Sequence, residues 1–512
     1  MFRILALLFT VVVVAQPVQA RWYEASSEHF VIYADDSEKD VRRFAEDLEK
    51  FHAAMESVSG RDLPSPSPSN RVTIFVVGDQ DDIRDLYAGE NKNVAGFYIP
   101  RAGASRAFVQ DIRLKRGYPS FSTVILLHEY AHHFLISSSR YGMPRWLSEG
   151  AAEFYASASF EKNGTVRIGR PAEHRALEIA YATPVAVEEL LDADLYEARR
   201  GKRYDAFYGW SWALYHLLIF DENRAGQFSR YWMLLSTGSS SLEAGREAFG
   251  DLSVLQRELE RYVRQRSMLS FVLPPEKIPF GPVSIRELSA GEAEMMEVRI
   301  RSQRGVSREE ALELVVDARA IAARYPDDPG VQTALAEAEF DAGFDDAAIA
   351  AADRALASDP SRVNAYVQKA YALFSKASEA EDADAAYQAA MKPLSDLNKL
   401  EPDHPAPLIY YYRTFVERGV APSDLARSGI LRAAQLSPFD MSLAMNAALI
   451  QAAQGQIADA KIRLHPLAMN PHGGGLSEQA KLFLADLETA DEGRPWFPGI
   501  GATYAEDVSA ED

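Results

Sequence analysis

Cysteine is absent from the 512 residues. That excludes disulfides, a lipidated N-terminal Cys and every thiolate metal site, so a bound metal must be held by His and carboxylates. Long apolar runs are missing beyond residue 20, and no later segment can span a bilayer. Positive charge is short as well: 54 Lys and Arg stand against 74 Asp and Glu, for a formal net charge of −20. Nucleic acid and anionic membrane surfaces are therefore poor partners.

What is present begins with a processing signal. Arg3, the apolar stretch Ile4 to Val14, and the small-residue end Val18-Gln19-Ala20 read as a signal peptide over residues 1–20. Its h-region is too short for a comfortable membrane span. The mature chain is expected to be exported, and an exported chain without disulfides fits a bacterial periplasm. The length requires two or three domains.

The first half mixes periods. Residues 27–34 and 72–77 carry the aromatic and β-branched residues of strands, and 94–99 and 105–110 read as two further strands around a turn at 101–104. Between the first two, Val41, Phe44, Leu48, Phe51 and Met55 recur at helical spacing, and a short helix follows at 81–87. Helices are then expected from Ser122 to just before Ser137 and from Trp146 to Tyr155, with a short strand near 165–169 and helical patterns up to Ser270. Strands first and helices after predict an α+β unit.

The chemistry concentrates at 128–153. His128 and His132 are four apart on the first of these two helices, so both imidazoles can face one point, with Glu129 within reach. This is the arrangement in which two His hold Zn²⁺ and the Glu acts as general base. Glu149 is the candidate third ligand, because the gap of residues 133–148 allows a turn at Gly142-Met143-Pro144 and a returning helix. Glu153 shares a face with Glu149 and can accept the distal N–H of a ligating His. Tyr208, on a later helix, is placed to stabilise an oxyanion, with Tyr204, Tyr215 and His216 as rivals. His133 falls off the ligand face and is expected to be structural.

These residues resemble the gluzincin metallopeptidases, the peptidase-MA-like clan that contains thermolysin and the zinc aminopeptidases. The stretch Trp146-Leu147-Ser148-Glu149-Gly150-Ala151-Ala152-Glu153-Phe154 is similar to the family's W-L-x-E-G-x-A-E-Y segment. The resemblance implies Glu149 as third zinc ligand and Glu153 behind the ligands. It also implies Tyr208 as the transition-state phenol, though Ser211 stands where the family's Y-x-x-G motif has Gly. It further implies an edge strand that binds peptide in extended form, for which 105–110 is the candidate. The aminopeptidase G-A-M-E-N motif is absent, so recognition of a free N-terminus is not implied.

From residue 295 the sequence is Ala-rich and helical. Pro326 and Pro360 stand about 34 residues apart, and Pro402, Pro438 and Pro471 continue the series with a longer gap around 375–384, expected to be a surface loop. The region resembles an array of about four tetratricopeptide hairpins, which implies a concave surface for a protein partner or substrate. The expected architecture is thus an α+β zincin-like (gluzincin) domain at 21–270, a Pro-rich linker at 271–294, all-α tetratricopeptide-type repeats at 295–490 and an acidic tail at 491–512. The expected function is zinc-dependent hydrolysis of peptide bonds. The alternative is an inactive periplasmic scaffold acting through its repeats.

Overall fold

A computed structural model of the chain describes residues 21–87, 94–112, 119–139, 141–199, 204–470 and 473–499. The segment 1–20, expected to be a signal peptide, Pro471 and residues 500–512 of the expected acidic tail lie outside the described residues.

The first domain is built on a six-stranded sheet. Its strands are β1 (Tyr23–Ser26), β2 (Phe30–Ala34), β3 (Val72–Val76), β4 (Gly96–Ile99), β5 (Arg106–Val109) and, much later in the chain, β9 (Ser284–Glu287). Their order across the sheet is β4-β5-β3-β2-β1-β9. β2, β3 and β5 run parallel, while β4 pairs antiparallel with β5, and β1 pairs antiparallel with both β2 and β9. Helix α1 (Glu38–Ser59) is the crossover from β2 to β3. Ser37 caps it by accepting the Asp40 N–H, and Gly60 ends it in the left-handed region at φ 64°.

The central strands read as apolar runs because both faces of the sheet are covered. Phe30, Ile32, Val72, Ile74, Val76, Ala107 and Val109 share one core with α1 and the helix that carries His128. Tyr33, Phe75 and Phe108 alternate to the other face, with Phe97 of β4 continuing their row at ring-centroid spacings of 5.5, 5.5 and 4.7 Å. Met296 and Ile300, from the first helix of the repeat region, cover that row.

Two expectations change here. The strand at 105–110 is interior, flanked by β3 and β4, so the free edge on this side is β4. The Pro-rich segment is not a linker. Phe271–Leu273 forms β8, which joins β6 (Ser159–Phe160) and β7 (Val166–Ile168) in a second sheet, and β9 completes the first. Both strands are edges, which tolerate neighbouring prolines, and Pro274, Pro275, Pro279 and Pro282 fall between them. Strands this short show no clear period in sequence, and the prolines mask them.

Beyond β9 the chain is helical. Four hairpins stand in series: Pro329–Asp341 with Asp345–Ser358, Val363–Ser378 with Ala383–Leu400, Pro405–Glu417 with Asp424–Leu436, and Met441–Ala453 with Ile457–Ala468. Met296–Arg304 and Arg308–Arg324 precede them and Gly475–Leu487 follows. Pro326, Pro360, Pro402 and Pro438 each lie three residues before the first helix of a hairpin, where the backbone turns and needs no helical N–H. Small Ala residues such as Ala348, Ala352 and Ala355 let paired helices approach. The longer gap is absorbed into two long helices rather than a surface loop, with only residues 379–382 between them.

The repeats are docked on the α+β domain. Glu401 accepts the Ser69 N–H (2.9 Å) and the Ser69 hydroxyl (2.8 Å), and Ala102 N–H donates to Asp440 Oδ2 (2.9 Å). Asn70 is almost fully buried between the domains, donating to Leu436 O (3.1 Å) and accepting from Ser437 Oγ (3.0 Å). On the far face of the sheet, Arg106 donates to Gln303 (3.1 Å) and Arg299 stacks on the Tyr33 ring (4.2 Å). The ends and connections of the repeat helices, with the helix Met296–Arg304, are therefore held against the chain's own α+β domain.

Candidate metal centre

Helix α3 (Phe121–Ser138) carries His128 and His132, and the helix Arg145–Ala156, called α4 (the short helix Gln80–Leu86 being α2), carries Glu149 and Glu153. Ser120 caps α3 by accepting the Thr123 N–H, and the chain turns before Pro144 to bring α4 back across it. Gly150 lets α4 seat against the helix Phe207–Phe220: a Cβ at position 150 would lie 2.5 Å from the carbonyl oxygen of Ser211. That close approach brings the Tyr208 ring to 6.4 Å from the ring of His128, centroid to centroid.

His128 Nε2, His132 Nε2 and Glu149 Oε2 form a nearly equilateral triangle. The nitrogens are 3.1 Å apart, and the oxygen is 3.2 Å from one and 3.3 Å from the other. A tetrahedral zinc ion about 2.0–2.1 Å from N and O ligands sets neighbouring donors about 3.3–3.4 Å apart. Both Glu149 oxygens are buried without a hydrogen bond, although two imidazoles lie within ion-pair distance. The two imidazole nitrogens also lie within hydrogen-bond distance of each other. These three residues form a group that could hold a metal ion.

The surroundings fix the imidazoles. His132 Nδ1 is 3.2 Å from the Ser148 hydroxyl, and His128 Nδ1 is 3.3 Å from Glu153 Oε1. With both Nδ1 atoms so engaged, both Nε2 atoms are left to face the triangle. Glu153 is itself fully buried and held by His174 Nε2 (2.5 Å) and by Arg175 through Nε (2.9 Å) and Nη2 (2.5 Å). Burial alone would raise both carboxyls. The His128 and His132 rings hold Glu149 far below the carboxylate range, and His128, His174 and Arg175 do the same for Glu153. Burial alone would lower the His128 pKa, yet Glu149 and Glu153 raise it to about 10. The two carboxylates therefore stay anionic because cationic and imidazole groups converge on them.

Glu129 is half-buried on α3, close enough to Tyr98 of β4 that its charge adds to the larger effect of burial in raising that phenol. Tyr208 is half-buried, and burial first and the charge of Glu149 second raise its pKa. Of its rivals, Tyr204 is mostly exposed and donates to Glu178 (2.9 Å). Tyr215 packs against Phe154 (5.1 Å), and His216 bonds Gly169 O (2.8 Å) and the Tyr262 hydroxyl (2.6 Å), so neither ring is engaged with the triangle. His133 is structural, paired with the Tyr98 hydroxyl (2.7 Å) and packed on Phe439 of the repeats (4.4 Å).

Sequence reasoning missed Ser148, His174 and Arg175. Ser148 was legible in principle as the polar residue one step before Glu149. His174 and Arg175 lie in an irregular segment with a single 3-10 turn, where no period announces a role.

No family model matches the chain, and no curated protein matches it. Among solved structures it is similar to a thermophilic TPR protein of Thermus thermophilus, at 15% identity over 38% of this chain and 94% of that one, with a TM-score of 0.29. It is also similar to MamA from Desulfovibrio magneticus (residue 41 to the end), at 14% identity over 39% of this chain and 96% of that one, with a TM-score of 0.25. The repeat architecture rests on the hairpins themselves, since TM-scores this low add no weight to it.

Proposed function

We propose that the α+β domain is a gluzincin-type zinc peptidase, exported to a bacterial periplasm, and that the docked repeats bind its substrate or a protein partner. The observation that carries this reading is the triangle of His128, His132 and Glu149 with the unbonded, buried oxygens of Glu149. Zinc in a three-ligand site supplies Lewis acidity toward water and a carbonyl group. Glu129, one residue from the first ligand and half-buried at the edge strand, takes the proton of the attacking water and returns it to the leaving amine. Tyr208 donates a hydrogen bond to the oxyanion that develops on the carbonyl, and its raised pKa keeps the phenol protonated for that task. Edge strand β4, rather than 105–110, is the place for an extended peptide to pair.

A second reading is favoured by the hairpins, which fill most of the chain beyond β9. In it the repeats carry the function as a binding scaffold and the α+β domain is inactive. One pair of measurements separates the two. The purified full chain should hold about one zinc per molecule, as three protein ligands imply. Glu129→Gln should keep that zinc and lose roughly 10²–10⁴-fold in cleavage of a quenched-fluorescence peptide library. A chain that takes up no zinc from a zinc-supplemented buffer overturns the peptidase reading and leaves the scaffold.

A further inference from the structure

Outside the triangle, one residue touches two separate parts of the site. Arg175 spans Glu153 and Tyr208. Its Nε and Nη2 donate to the same carboxylate oxygen, Glu153 Oε1, which also faces His128 Nδ1. The guanidinium carbon lies 4.7 Å from the centroid of the Tyr208 ring. Nη1 donates to Glu178 Oε2 (3.2 Å), and Glu178 Oε1 accepts the Gly209 N–H (2.8 Å) at the start of the helix that carries Tyr208. The same Glu178 accepts the Tyr204 hydroxyl. Two carboxylates are thus joined through one planar cation, which also lies over the phenol ring.

We propose that Arg175 is a positioning residue that sets the distance between the metal and the Tyr208 hydroxyl. It holds the carboxylate that orients His128, and it lies over the Tyr208 ring and, through Glu178, holds the start of its helix, while Arg145 bonds the Tyr208 side chain from another side. His174 differs in an informative way. It pairs with the other oxygen of Glu153 and has no contact with Tyr208 among the described interactions. Loss of His174 therefore weakens the carboxylate alone, whereas loss of Arg175 uncouples the two parts. A lysine at 175 keeps a charge near Glu153 but has neither the fork that grips one oxygen twice nor a flat face for the ring.

This inference rests on the metal reading above, so the test reads both. Full-length protein is loaded with Co²⁺, whose visible spectrum reports the ligand set, and titrated with acetohydroxamate, a metal-binding oxyanion. Wild type should bind Co²⁺, and Tyr208→Phe should weaken acetohydroxamate several-fold. Arg175→Gln should lower Co²⁺ affinity roughly 10–100-fold in chelator competition, and in that background Tyr208→Phe should have no further effect. His174→Gln should lower Co²⁺ affinity yet preserve the Tyr208 effect. Arg175→Lys should recover part of the Co²⁺ affinity without recovering the Tyr208 effect, and it serves alone if Arg175→Gln does not fold. A wild type that binds no Co²⁺ overturns the metal reading. A wild type that binds Co²⁺ while the Tyr208 effect is absent, or survives every change at 175, overturns the role of Arg175.

Discussion

Two buried acidic regions of this molecule behave in opposite ways. At the α3–α4 crossing, Glu149 and Glu153 are fully buried and stay charged, because imidazoles and a guanidinium converge on them. At the docking face of the repeats, burial raises the Asp341 carboxyl to about 7, and the neighbouring Glu337 adds to the rise. Arg106 and Ser302 oppose it weakly, and Asp341 Oδ2 has no hydrogen bond. Burial alone protonates a carboxyl; only converging donors keep it anionic. In the first region the carboxylates are matched by His and Arg side chains. The second tolerates an acid that is neutral over part of the working pH range.

The largest effect that sharpens this contrast comes from Glu149→Gln. It removes one of three donors and the only negative one, so zinc affinity should fall beyond the roughly 100-fold typical of outer partners. Chelator competition on the purified full chain reads it, and unchanged affinity would remove Glu149 from the ligand set. Gly150→Ala comes next. Its methyl would press on the Ser211 carbonyl at 2.5 Å, and overpacking of that kind costs about 1–3 kcal/mol. α4 must shift from the Tyr208 helix, so both the melting temperature and zinc affinity should drop. A variant with normal zinc affinity would show that the helix contact does not set the triangle. Glu153→Gln should lower zinc affinity roughly 10–100-fold, because His128 loses its anionic partner. That loss should be smaller than for Glu149, and a reversed ranking would mean that the roles of the two carboxylates are exchanged.

The residues at the crossing were legible because helices announce their faces. His128 and His132 share one by spacing, as do Glu149 and Glu153, and the structure brings the two faces together. The ends of the sheet were not legible. β8 and β9 have three and four residues, too few for a period, and the prolines around them signal turns more strongly than the strands signal themselves. Strand order was beyond reach for a different reason. β4 and β5 have similar composition, and only the tertiary pairing of β5 with β3 makes β4 the edge. His174 and Arg175 escaped because their role comes from where an irregular segment crosses Glu153, which no local pattern encodes. The docking of repeats on the sheet escaped for the same reason. Asn70 sits in a Pro-Ser run that reads as a loop, and its partners Leu436 and Ser437 are over 360 residues away in sequence.

The smallest expected effect tests the second region. A carboxyl whose folded pKa is raised to about 7 from an ordinary value near 4 binds its proton more tightly in the folded chain. Its contribution to stability is fully present below about pH 4 and is lost as pH rises through about 7. Asp341→Asn keeps the shape and removes the titration. Wild type and variant should therefore melt alike near pH 4, whereas at pH 8 the variant should melt higher by several degrees. Differential scanning calorimetry of the full chain at the two pH values is the measurement. If the gap between variant and wild type is the same at both, burial does not raise the acid in the folded chain. Arg106 would then be a full partner to it, and the contrast with the α3–α4 crossing would disappear.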